Sequence, residues 1–129
     1  MNGTPNDYIK YRLNKSNETL ADAIILSENE RWNSAVNRLY YSAFYLVSAL
    51  IHQEGNKTTS HNGTKTQFNL HFIKSGLITL EHGKFFASLF DWRQESDYAN
   101  FIDFEKKFVN ELILKVQIFN TEILRLFDS

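Results

Sequence analysis

Between Arg31 and His52 the chain runs without Gly or Pro, and Trp32, Val36, Leu39, Ala43, Val47 and Leu50 recur three or four positions apart. That spacing marks one face of an α-helix. Tyr40, Tyr41, Phe44 and Tyr45 widen the apolar surface beyond a narrow seam, so the pattern predicts a central helix with neighbours on more than one side. Upstream, Thr4-Pro5-Asn6-Asp7 reads as a helix start, with Thr4 as N-cap and Pro5 at the first helical position. The helix that follows is expected to reach about Ser27, with a weaker stripe formed by Tyr8, Tyr11 or Leu13, Leu20, Ile24 and Ile25. The short polar joint Ser27-Glu28-Asn29-Glu30 makes the first two helices antiparallel neighbours.

After His52 the pattern changes. Residues 53–65, QEGNKTTSHNGTK, hold two Gly and almost no apolar side chain, and read as a loop with a turn at His61-Asn62-Gly63. The run QFNLHFI, residues 67–73, is compatible with a strand or a short helix; its surroundings favour the helix. Lys74-Ser75-Gly76 ends it. From Glu81 to about Tyr98 a further helix is predicted, with Phe85, Phe86, Leu89, Phe90 and Trp92 turned inward and Asp91, Gln94 and Glu95 outward. A joint near Ala99-Asn100 leads to the last helix, roughly Phe101 to Phe127, where Phe104, Phe108, Leu112, Val116, Phe119, Ile123 and Leu126 keep the same spacing. The expected architecture is all-α: a four-helix up-and-down bundle with one additional short helix, forming a single domain over residues 1–129.

Composition narrows the function. An apolar fraction of 43% and an aromatic fraction of 15% fit a folded core. The absence of Cys excludes a disulfide scaffold and a thiolate nucleophile. No apolar run approaches the ~20 residues needed to span a bilayer, and no secretory segment is visible, so a cytoplasmic protein with no membrane partner is expected. A net charge of -1 gives no bulk attraction to nucleic acid and leaves room for a local basic patch.

Several polar residues interrupt otherwise apolar faces. Arg93 and Asp97, four apart, form either a structural ion pair or an Arg fork held for a phosphate, with Asp97 orienting it. Asn37 and Arg38 lie beside Tyr41. Asn37, Tyr41 and Phe44 share one side of the central helix, and an Asn there needs a hydrogen-bond partner or marks a dimer seam. Of His52, His61, His71 and His82, none forms a metal-ligand pair, and His61 is the one ligand candidate. Phosphate-cradling and dinucleotide-binding glycine motifs are absent, so no cofactor and no metal are expected.

The segment from Trp32 to Tyr45, WNSAVNRLYYSAFY, resembles the second helix of the HEPN domain family. Leu89 to Tyr98, LFDWRQESDY, resembles that family's later helix in a small bacterial branch ending in Arg-x-x-x-Asp-Tyr. The loop Lys57 to Gly63, KTTSHNG, and the short helix after it are similar to the same branch. This resemblance implies a helical bundle, commonly a homodimer, related to the helical substrate-binding domain of some nucleotidyltransferases. It also implies kinship with metal-independent endoribonucleases and toxins encoded beside a nucleotidyltransferase antitoxin, whose activity depends on an Arg followed four to six residues later by His. Arg93 matches that Arg, but residues 94–100 contain no His, and Tyr98 stands at the spacing where one is expected.

A phenol with a pKa of ~10 is a poor base near neutrality beside an imidazole at ~6.5. The expected function is therefore a non-catalytic nucleotide- or RNA-binding module, acting with a nucleotidyltransferase partner. Arg93, Asp97, Tyr98, Arg38, Asn37 and His61 are its ligand or phosphate candidates, and Tyr41 and Phe44 belong to its interface. A metal-independent endoribonuclease of a toxin-antitoxin pair and a helical protein-interaction module are the alternatives. No residue is assigned a catalytic role.

Overall fold

The computed structural model describes residues 5–56, 60–98 and 103–127, with the side chains of Pro5 and Tyr98 excepted. The expected N-cap at Thr4, the joint at Ala99-Asn100 and the Tyr98 side chain lie outside that range. Among the described residues the chain forms five α-helices and no strand: α1 (Pro5–Glu28), α2 (Trp32–Gln53), α3 (His61–Phe68), α4 (Leu80–Tyr98) and α5 (Lys106–Leu124).

The second helix, α2, is the hub. It packs against α1, α3, α4 and α5, and no residue from Ala35 to Gln53 is fully exposed. Leu39, Tyr40, Leu46, Leu50 and Ile51 are among the largest fully buried side chains. Such burial around the helix is what its broad apolar pattern requires.

The first helix meets the core through a line of small buried residues flanked by Leu13, Leu20 and Leu26. Tyr11 and Ile25 are exposed, whereas Ser16, Thr19, Ala23 and Ser27 are buried. Small side chains let the two backbones approach closely enough for reciprocal bonds: Ser16 Oγ donates to the Ser42 carbonyl at 2.7 Å, and Ser42 Oγ to the Ser16 carbonyl at 2.9 Å. Of the stripe expected from Tyr8, Tyr11 or Leu13, Leu20, Ile24 and Ile25, Leu13 and Leu20 pack against the core, whereas Tyr8, Tyr11 and Ile25 are exposed.

A six-to-one and a five-to-two backbone bond close the α1–α2 joint: Arg31 N to the Leu26 carbonyl (2.9 Å) and Glu30 N to the Ser27 carbonyl (3.1 Å). This Schellman closure holds Glu30 at φ +60, where glycine is usual. Gly55, at φ +87, ends α2 in the same manner.

Residues 61–65 are helical rather than part of a loop. Ser60 caps α3 by accepting from the Gly63 N–H at 2.9 Å, a stop-start signal that the Gly-rich composition obscured. The ambiguous run beyond it continues as a helix: α3 passes into one π-helical turn over Asn69–Ile73. Gly83 on α4 faces that turn, and a Cβ there would lie 3.0 Å from Ile73 Cγ1, so its lack of a side chain allows the close approach. The last helix begins at Lys106, later than Phe101, since Phe104 is instead tied by its backbone N–H to Asn33 Oδ1 at 3.0 Å.

Candidate functional site

Asn37, Tyr40, Tyr41 and Phe44 project from one side of α2 through i, i+3, i+4 and i+7 spacing, and Phe90, Arg93 and Asp97 from the facing side of α4 through i, i+3 and i+7 spacing. The N-terminus of α3 adds His61. Arg93 is only 7% exposed. Its guanidinium lies 5.3 Å from the Tyr40 ring centre, 5.5 Å from Phe90 and 6.0 Å from Tyr41. Aromatic faces compensate part of the desolvation of a buried cation.

Polar compensation for Arg93 is thin. Nη1 donates to Asp97 Oδ2 at 3.4 Å, and Nε is buried with no acceptor among the described residues. Asp97 is the more satisfied partner. Its Oδ1 accepts from Asn37 Nδ2 at 2.9 Å, while Asn37 Oδ1 accepts from Arg38 Nε and Nη2 at 3.1 and 3.0 Å. The Asn37 amide has one consistent orientation, since its oxygen must face a guanidinium and its nitrogen a carboxylate. The result is a clasp, Arg38–Asn37–Asp97–Arg93, in which two cations flank one carboxylate. Arg38 also lies 5.0 Å from the Tyr41 ring centre.

An open cleft of about 360 Å³ borders this clasp and is lined by residues of α1, α2 and α4, including Asn37, Arg38, Ser96 and Asp97. Arg93 sits behind the cleft wall. The expected ligand candidates therefore separate by position: Asn37, Arg38 and Asp97 line the cleft, Arg93 is buried beneath it, and His61 lies on the other side of the aromatic cluster.

His61 occupies the first position of α3. Its Nδ1 is 2.8 Å from the Tyr40 hydroxyl, and its ring centre lies 4.7 Å from Phe44 and 5.6 Å from both Tyr40 and Tyr41. Tyr40 is fully buried, and Nδ1 is the one acceptor its hydroxyl has among the described residues. Donation from Tyr40 to Nδ1 satisfies that buried proton; the reverse would strand it. The neutral imidazole then carries its hydrogen on Nε2. Burial, and secondarily the Arg93 charge, hold His61 below its ordinary pKa of 6.5. Burial likewise pushes the Tyr40 phenol well above its ordinary value, with the Arg93 charge opposing. In this state His61 can donate a hydrogen bond through Nε2, while its basic nitrogen is already committed to Tyr40.

Tyr41 and Phe44, the expected interface residues, are half-buried and partly covered by His61. Two contributors escaped sequence reasoning. Tyr40 reads as one aromatic among several, and Lys65, placed in a loop by composition, is on α3 with its Nζ 4.7 Å from the Phe90 ring centre. The His61–Lys65 spacing of one helical turn was the available signal, hidden by the missed N-cap. Among the described residues no group of three or more His, Cys, Asp or Glu is placed to hold a metal ion, and no helix is long and apolar enough to cross a membrane.

The sequence matches the HEPN domain model over residues 9–126. The chain belongs to the HEPN domain family. Among its relatives, a UPF0332 protein of Thermotoga maritima is 39% identical over 121 residues, covering 94% of this chain and 92% of that one. A protein of Methanocaldococcus jannaschii named "Putative toxin" is 30% identical over 107 residues, covering 83% of this chain and 73% of its own. A second UPF0332 protein, from Pyrococcus horikoshii, is 35% identical over 68 residues, covering 53% and 48% of the two chains.

Proposed function

We propose that this chain is a nucleotide- or RNA-binding HEPN module that receives phosphate at the cleft beside the Arg38–Asn37–Asp97–Arg93 clasp. The observation that carries this reading is the clasp itself, where the Asp97 carboxylate at a cleft wall bonds Arg93 directly and is linked to Arg38 through the Asn37 amide. Arg38, half-exposed, makes the direct contact. Arg93 supplies buried positive charge, and Asn37 orients both ends. Arg38 and Lys65, each lying over an aromatic ring, add cations that suit the backbone of a nucleic acid.

In this reading α1, α2, α4 and α5 form a four-helix up-and-down bundle with α3 as the additional helix. The module works as a cytoplasmic homodimer with Tyr41 and Phe44 at its seam, alongside a nucleotidyltransferase partner. Titrating the purified protein with mononucleotides and short single-stranded RNAs tests it. Saturable binding is expected, weakened at least about tenfold by Arg38→Ala and falling with salt. No saturable binding, or binding indifferent to Arg38→Ala, overturns it.

A second reading is supported by the toxin name of one relative and by His61, which reaches the Arg93 cluster from α3 rather than from the residues after Arg93. It is a metal-independent endoribonuclease in which Arg93 stabilises developing phosphate charge and His61 moves a proton. For that, His61 must release Nδ1 from Tyr40. RNA cleavage in chelator that is abolished by both Arg93→Met and His61→Gln would establish this reading over the first.

A further inference from the structure

The half-buried residues of α2 form a line of their own. Arg38, Tyr41, Tyr45, Ser48 and His52 recur three or four positions apart, none of them acidic, and run from the phosphate cleft toward the end of the helix. At 1.5 Å per residue the line is about 21 Å long. Tyr8 and Arg12 of α1 lie along it. The Tyr8 and His52 ring centres are 4.4 Å apart, and the Arg12 guanidinium is 5.3 Å from the Tyr45 ring centre and 5.1 Å from that of Tyr8.

Arg12 and Arg38 are held alike. Each lies over a tyrosine, Arg12 over Tyr45 and Arg38 over Tyr41, and those two rings are neighbours one turn apart with centres 6.0 Å from each other. Among the described residues neither guanidinium meets a carboxylate, whereas Arg93 and Arg125 each do. The polar partner of Arg38 is the neutral Asn37 oxygen. A cation resting on a ring is restrained without being neutralised, which leaves its charge to a further anion. Both side chains are half-buried rather than sealed, so part of each faces solvent.

Two restrained and unneutralised guanidinium groups along one line suit two phosphates of one strand, whereas a mononucleotide engages the cleft alone. At ~3.4 Å per nucleotide, the ~21 Å line has room for about six. We propose that Arg12 is a second phosphate contact, and that the ligand is a single-stranded oligonucleotide running from Arg38 past Tyr45 to Arg12 and Tyr8. This inference rests on the phosphate reading of the cleft and makes its ligand a strand rather than a nucleotide.

The test is a binding titration of the full chain at low salt with uridine monophosphate, hexauridylate and hexaglutamate. Hexauridylate is expected to bind at least about tenfold more tightly than the mononucleotide, and hexaglutamate not to saturate. Arg12→Gln keeps a polar stem beside the tyrosines and removes the charge. It should weaken hexauridylate at least about fivefold, reduce the slope of its salt dependence by ~0.7 and leave uridine monophosphate unchanged. Arg12→Lys should restore the slope, a recovery that a folding defect in the first variant would not produce. Hexauridylate binding that requires Arg38 but ignores Arg12→Gln, or that is no tighter than the mononucleotide's, overturns this inference and leaves the cleft reading standing. Equal binding of hexaglutamate overturns it in favour of an acidic peptide. No saturable binding of either uridine ligand overturns the cleft reading and this inference with it.

Discussion

The Tyr40 hydroxyl on α2 and the His61 Nδ1 at the start of α3 stand 2.8 Å apart, and through this bond α3 is fastened to the aromatic cluster that encloses Arg93. One contact thus joins a buried phenol, an imidazole and a buried cation. It also fixes which imidazole nitrogen carries hydrogen.

Folding should depend on pH through His61. Its pKa is lower in the folded chain than the unfolded 6.5, so the folded state binds fewer protons between those two values. Stability is fully present above the unfolded value and is lost as the pH falls through the folded one. Chemical denaturation from about pH 7.5 down to about pH 5 should show this decline. His61→Gln should flatten it.

Tyr40→Phe removes the proton donor while keeping the ring. The imidazole loses a bond that favours its neutral form, so the His61 pKa should rise toward the ordinary value. Stability should drop by about 1–2 kcal/mol, the cost of losing one buried hydrogen bond. Side-chain NMR of His61 and a denaturation curve read the two effects separately.

Arg93→Met separates stability from binding. The guanidinium is buried, makes one long bond to Asp97 and leaves Nε without an acceptor. An apolar side chain of similar length relieves that desolvation and keeps the contacts with Tyr40 and Phe90, while Asp97 retains Asn37 and access to water. Stability should remain within about 1 kcal/mol of the parent. Phosphate binding should fall steeply in the same variant.

Ser42→Ala addresses the small-residue seam. It removes the donor to the Ser16 carbonyl and the acceptor for Asn120 Nδ2, leaving the Asn120 amide buried and under-bonded. A loss of about 1–3 kcal/mol is expected in equilibrium unfolding.

Much of the fold was legible. Leu39, Val47 and Leu50 of α2, and Leu112, Val116, Phe119 and Ile123 of α5, are buried where their spacing placed them. Periodicity reports these faces because each large apolar side chain must leave water whatever its partner. The α1 seam was illegible for the converse reason. Ser16 and Thr19 look solvent-facing in a sequence, and only a close neighbour such as Ser42 makes a hydroxyl a packing residue. The start of α3 was hidden as well, since Ser60 is a cap only once the residues after it are helical.

By itself, the sequence determined an all-helical chain organised on α2, its family likeness, and the polar residues that break apolar faces. Tertiary structure decided how those residues combine. Asn37 joins Asp97 across 60 positions, and His61 reaches Tyr40 across 21. Helical periodicity constrains neighbours within a turn or two. Contacts between helices depend on crossing angles and side-chain size, so the clasp and the tyrosine–histidine bond exist only in the packed molecule.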